Sequence, residues 1–212
     1  MFPLLLSLSA ASALEITHTP RADDHRVLLS AAAEPFATTT LGYQHGLSVG
    51  GRAVGLSASL TAPVFLLDGR HHRLEVAGRT VVARWRDLGI DARVGLFEQS
   101  TSSALVRGTA LGTRTSALAG WFPRRGFLST ELSLAWSPTA HLRPTDHYDE
   151  LWGGMASGWY GNPAAGLTLG LQGGLVIADR VELATRLAVD RTLGGGGRIA
   201  PLYAGLGGNL WW

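Results

Sequence analysis

Cysteine is missing from this 212-residue chain, and so is lysine: all 18 basic side chains are arginine. Without cysteine there is no disulfide framework and no thiolate metal site. The missing lysine fits a GC-rich codon bias and points to no function. Charge is also sparse. Charged residues make up 16% of the chain and the formal net charge is +2. Basic side chains do not cluster and interleave with aromatics, so a nucleic-acid surface is excluded; Arg124–Arg125 is only a doublet. Long apolar runs are lacking too. Phe2–Leu8 is too short for a membrane-spanning helix, and no later segment approaches that length. If this chain crosses a membrane, it does so as strands.

Several chemical motifs are absent. There is no HExxH, no EF-hand loop, no GxSxG elbow, and no glycine-rich loop followed by lysine. Gly194–Gly197 therefore reads as a flexible surface loop. No fixed-period repeat and no second domain are evident. No cofactor and no metal are expected, and no residue stands out as catalytic.

What the chain does have is glycine, 28 residues of it, and alternation. The last stretch shows it best. Leu202, Ala204, Leu206, Gly208, Leu210 and Trp212 fall on one face, with Tyr203, Gly205, Gly207, Asn209 and Trp211 on the other. Two tryptophans at the end of such a strand would leave a large apolar area in water, whereas an aromatic ring is stable at the headgroup level of a membrane. Residues 1–13, MFPLLLSLSAASA, carry an apolar run and a small-x-small site ending at Ala13, so they read as a secretory signal peptide, although no basic residue precedes the run. The mature domain is then 14–212.

Between these ends the chain reads as hairpins. Arg26–Ala33 is a short first strand. Ala37–Val49 and Arg52–Ala62 alternate around Gly50-Gly51, a tight-turn signal. Further hairpins are expected at His72–Trp85 with Ile90–Glu98, Thr109–Phe122 with Phe127–Trp136, and Gly166–Ile177 with Val181–Asp190. Short turns follow Val49, Arg86, Phe122 and Ile177, while longer connections are expected near 63–71, 99–108, 137–165 and 191–200. Short turns at one end and long loops at the other suit an all-β, antiparallel up-and-down transmembrane barrel. Its parity gives ten strands, or eight if Arg26–Ala33 is not one.

In that geometry Asp91, Arg93, Glu131, Glu182 and Arg186 point into the lumen, where charges need partners. An eight- to ten-stranded barrel is narrow enough for side chains to fill it. A plugged lumen, or at most a narrow passive pore, is therefore expected in preference to a wide channel. In 137–165, Tyr148, Trp152, Met155 and Trp159 recur at helical spacing and suggest a loop helix or lid, with Thr145 or Asp146 as its cap. His141, Asp146, His147, Asp149 and Glu150 fit no defined metal site and read as a solvated acidic loop. Arg70, His71, His72 and Arg73 form a second polar cluster, able to meet lipopolysaccharide phosphates but more simply read as a solvated strand end.

The signal-like MFPLLLSLSAASA, the alternating hairpins from Thr40 onward and the closing LGGNLWW together resemble the small outer-membrane β-barrel proteins of Gram-negative bacteria. The closing stretch is similar to their C-terminal assembly signal, with Leu206 and Leu210 in register and Trp212 in the terminal aromatic place. That place is more often phenylalanine, so Trp212 departs from the pattern. The resemblance implies an outer-membrane location and insertion by the barrel-assembly machinery; the partners expected of the chain are that machinery, outer-membrane lipids and, as one option, an envelope protein complex. It implies no substrate. The expected role is non-enzymatic, structural or porin-like; the alternatives are a lipid-modifying barrel enzyme and a soluble secreted β-sandwich.

Overall fold

The computed structural model describes residues 22–33, 37–64, 70–178, 180–193 and 202–212. The signal peptide expected at 1–13 and the Gly194–Gly197 run lie outside them. The strands are β1 (His25–Ala33), β2 (Ala37–Val49), β3 (Arg52–Pro63), β4 (His72–Trp85), β5 (Leu88–Ser102), β6 (Val106–Trp121), β7 (Gly126–Pro144), β8 (Gly158–Ala178), β9 (Val181–Leu193) and β10 (Leu202–Trp211). A short helix, α1 (Asp146–Trp152), lies between β7 and β8.

Each strand pairs antiparallel with its sequence neighbours, and β1 pairs β10, so one sheet closes into a ten-stranded barrel. That decides for ten strands over eight, and for a closed wall over two stacked sheets. Among the described residues no helix is long and apolar enough to cross a membrane. At the closing seam the His25 N–H donates to the Trp212 carbonyl at 3.2 Å and the Trp212 N–H returns to the His25 carbonyl at 3.1 Å. The His25 ring stacks between His45, at 4.7 Å, and Trp212, at 5.9 Å. The β2–β3 hairpin turns on Gly50 and Gly51, with φ of 58° and 76°. Two consecutive positive φ angles match the right-handed twist of the flanking strands, and glycine adopts them without a Cβ clash.

The polarity of the wall is inside-out. Ser30, Thr40, Gln44, Ser133, Thr168 and Gln172 are buried together with arginines and carboxylates. The exposed set is Leu, Val, Ile and Trp: Leu175 is 68% exposed, Leu96 67% and Trp85 69%. Period-2 alternation produces this directly, since successive side chains leave a strand on opposite faces. Leu206 and Leu210 of β10, and Trp212 just past its end, are exposed, while Tyr203 and Asn209 are buried.

The strands from β5 to β8 run further than their sequence pattern suggests. The 99–108 connection shrinks to 103–105 and the 137–165 connection to 145–157. For the 137–165 segment the cause is a β-bulge in β7 between Trp136 and Thr139 opposite β6, beside which the pairing with β8 also shifts; β5 and β6 simply pair without a break through Ser102 and Arg107. Ser137 is buried, and after the bulge Ala140 and Leu142 are the buried residues. One extra residue flips the alternation, so a continuous strand reads as two faces mixed.

Candidate functional site in the barrel interior

Inward-facing charges come from most of the wall. Charge taken from water is destabilising unless paired and hydrogen-bonded, and here carboxylates from one strand meet arginines from others. Glu75 of β4 is the focus. Arg73 Nη2 donates to its Oε2 at 3.0 Å, Arg93 Nη2 lies 2.9 Å from Oε1, and Arg114 Nη1 of β6 lies 3.5 Å from Oε2. Arg73 also sits 4.1 Å over the Phe97 ring, a cation–π contact that holds it in place. Three cations on one carboxylate leave this part of the interior positive.

A second group joins β7, β8 and β9. Glu131 Oε2 accepts from Arg186 Nε at 2.9 Å and from Gln172 Nε2 at 2.6 Å. Elsewhere Arg79 forks onto Asp91, Nε at 3.1 Å and Nη2 closer still. Asn209 Nδ2 donates to Glu182 Oε1 at 2.7 Å, and Arg26 pairs with Asp24 at 3.0 Å. Asp190 of β9 faces Thr168 and Tyr203, within electrostatic reach of Arg114 and Arg186.

The five charges singled out from sequence therefore all line the interior. Glu131 and Arg186 meet each other, while Asp91 meets Arg79, Arg93 meets Glu75 and Glu182 meets Asn209. Sequence reading missed Arg26, Arg73, Glu75, Arg79, Arg114 and Asp190. The signal was present on β4, where Arg73, Glu75, Ala77 and Arg79 alternate with Leu74, Val76 and Gly78. Small residues at Ala77 and Gly78 dilute that contrast.

Apolar side chains join the charges in the interior. Leu28 of β1, Phe127 of β7 and Ala184 of β9 form one buried cluster, with Phe122 packed on it. β1 and β7 stand four places apart around a ring of ten, so this cluster spans the interior. Phe127 lies across β8 at Gly174, where any Cβ would collide with its ring. At the other end Val106, Ala110, Ala140 and Leu142 cluster with Leu105, Tyr148, Met155 and Tyr160.

Of the expected loop helix, Tyr148 and Trp152 lie on α1, with rings 5.4 Å apart. Asp146 and Asp149 occupy its first turn, where negative charge suits the helix dipole. Thr145 holds the N-cap position without capping: its hydroxyl donates instead to the Ala104 carbonyl at 2.6 Å and the Leu105 carbonyl at 2.9 Å, tying the loop to the 103–105 connection. Met155 follows the helix and, with Tyr148, packs onto inward-facing residues of β6 and β7. Trp159 does not belong to the helix. Glycines at 153, 154 and 158 end the helical stretch, Gly153 and Gly154 having positive φ, and Trp159 lies on β8, paired with His141 and facing out.

The two polar clusters resolve differently. Among the described residues no group of three or more His, Asp or Glu side chains is placed to hold a metal; His147 and Glu150 form an exposed pair at 3.5 Å. Arg73 turns inward to Glu75, while His72 turns outward and pairs with Glu98 at 3.4 Å, so that cluster is split by the strand's pleat.

On the outer wall Trp85, Trp121 and Trp212 stand at the end that holds the His25–Trp212 rung and the short turns, and Trp136 and Trp159 toward the other. Trp121 pairs with Leu128 and Thr113 with Trp136, so eight residues of β7 separate the two aromatic levels. At about 3.4 Å per residue and a tilt of about 40° that is roughly 20 Å, close to the apolar band of a bilayer-spanning barrel.

No family model and no curated protein matches the sequence. A solved outer membrane channel from Pseudomonas putida F1 is similar in fold, with a TM-score of 0.52 at 10% identity over 91% of this chain and 96% of that one.

Proposed function

We propose that the chain is an outer-membrane barrel protein with a non-enzymatic role in the envelope and a largely filled lumen, at most a narrow passive pore. One observation carries the location: the wall is apolar outside and charged inside, which suits lipid around the barrel. A fold similar to that of a known outer membrane channel supports it. The barrel-assembly machinery is the proposed insertion route, with Leu206, Leu210 and Trp212 as the strand face it would meet. Leu151 and Trp152, exposed on α1, are the proposed seat for an envelope partner.

The filled lumen is supported by the cluster of Leu28, Phe127 and Ala184 across the interior and by the paired charges. Purified protein in planar bilayers is expected to show no steady large conductance. A steady large open level would overturn the filled reading and favour a charged aqueous pore.

A second reading, a lipid-modifying enzyme, has one arrangement in its favour. His72, paired to Glu98, faces Ser100 in register on the outer wall. That reading needs the His72 imidazole to take the Ser100 proton, as a hydrolase requires. Lipid A from cells with and without the gene is expected to give the same mass spectrum. A deacylated or otherwise altered species present only with the gene would reverse the ranking.

A further inference from the structure

We propose that the outer wall carries a site for the phosphates of an anionic glycolipid, in the cleft lined by Ser100, Arg107, Thr109, His141, Arg143 and Trp159. This rests on the membrane location proposed above. The cleft encloses about 500 Å³ across strands β5 to β8.

The pairing fixes its orientation. Arg107 stands directly opposite Arg143, Thr109 opposite His141, and Leu111 opposite Thr139. Leu111 is exposed on the wall while Val106, Ala110, Ala140 and Leu142 between them are buried. Arg107 and Arg143 therefore point outwards, side by side. Like charges directly across a β-ladder repel. Inside the barrel the arginines have carboxylates; here neither arginine has an ion-pair or hydrogen-bond partner among the described residues. The wall's nearby carboxylate, Glu98, is engaged by His72.

An anion between the two guanidiniums would turn this repulsion into two charge-assisted contacts, and the arginine fork matches phosphate oxygens. Position and size choose the source of that anion. The pair sits two residues beyond the Trp159–His141 rung, the outermost tryptophan level of the wall, and six residues of β6 beyond the Trp136 rung, at the end away from the short turns and on the headgroup and water side of the aromatics. The cavity is far larger than one phosphate. The Trp159 ring, held edge-on by His141 at 5.3 Å, adds a flat apolar face against which a headgroup sugar can lie.

The test uses the full-length barrel inserted into phosphatidylcholine vesicles doped with bisphosphorylated lipid A, then extracted into mild detergent for native mass spectrometry. Wild-type protein is expected to retain lipid A, and R107Q/R143Q about tenfold less. R107K/R143K keeps the charge but loses the fork, and is expected to fall between them. Heat-modifiable gel mobility checks that each variant is folded, which these exposed positions allow. Equal retention by wild type and R107Q/R143Q would overturn the proposal, as would equal retention of dephosphorylated lipid A. Displacement by inorganic phosphate at the lipid's own concentration would also overturn it, since that marks a free-anion site. A chain that never enters the vesicles overturns the membrane reading as well, which is a different result from inserting without discriminating.

Discussion

E75A is expected to lower the unfolding free energy of the barrel by about 3–5 kcal/mol, the usual effect of breaking a buried ion pair from one side. Glu75 is the carboxylate on which Arg73, Arg93 and Arg114 converge, and it is 5% exposed. Its loss leaves three guanidiniums close together without the carboxylate they share. The order of events distinguishes charge from packing. If repulsion is the cause, adding R114M to E75A removes one of the cations and recovers part of the loss, and the coupling appears in a double-mutant cycle. Urea unfolding of vesicle-embedded protein measures all four corners. A loss below about 1 kcal/mol for E75A would mean that water already solvates these side chains, and the filled lumen would fall with it.

L132R is expected to destabilise the inserted barrel by about 2–4 kcal/mol, the range for arginine on the lipid face near the bilayer midplane. Leu132 lies midway along β7 between Leu128 and Trp136, faces out and is 50% exposed. W136R, near the expected interface, is expected to change stability by no more than about 1 kcal/mol beyond its lost ring, because the penalty falls with depth. The contrast carries the result. A wall facing water would tolerate an added arginine at position 132, and the gradient between the two positions would vanish.

Much of this was legible in the residues. The inner and outer faces of β2, β3, β9 and β10 follow from alternation alone, because polar, apolar and small residues take strict turns there. The strand ends beyond Trp136 were not legible, because a single bulge at Ser137–Thr139 exchanges the two faces and Trp159 falls by chance at a helical interval from Met155. The inward direction of Glu131 and Arg186 could be read, but their meeting could not. They lie 55 residues apart and are brought together by β8 running between them. Arg107 and Arg143 drew no notice, since only the ladder of β6 with β7 sets like charge against like. A sequence shows which side of a ribbon a residue takes; partners depend on register, which local pattern leaves open.

The pairing of β1 with β10 has a consequence for how the molecule comes to exist. The two strands joined there are the first and last in order, so the ring cannot shut until everything between has been laid down. Loop-closure entropy makes that the slowest contact to form. Until it does, the growing sheet carries two raw edges, each able to bond to any other chain in the same condition. A crowded population of half-made molecules would join into linked rings and open ribbons as readily as into single barrels. Its yield would then be governed by how well neighbours are kept apart, more than by how stable the finished ring is.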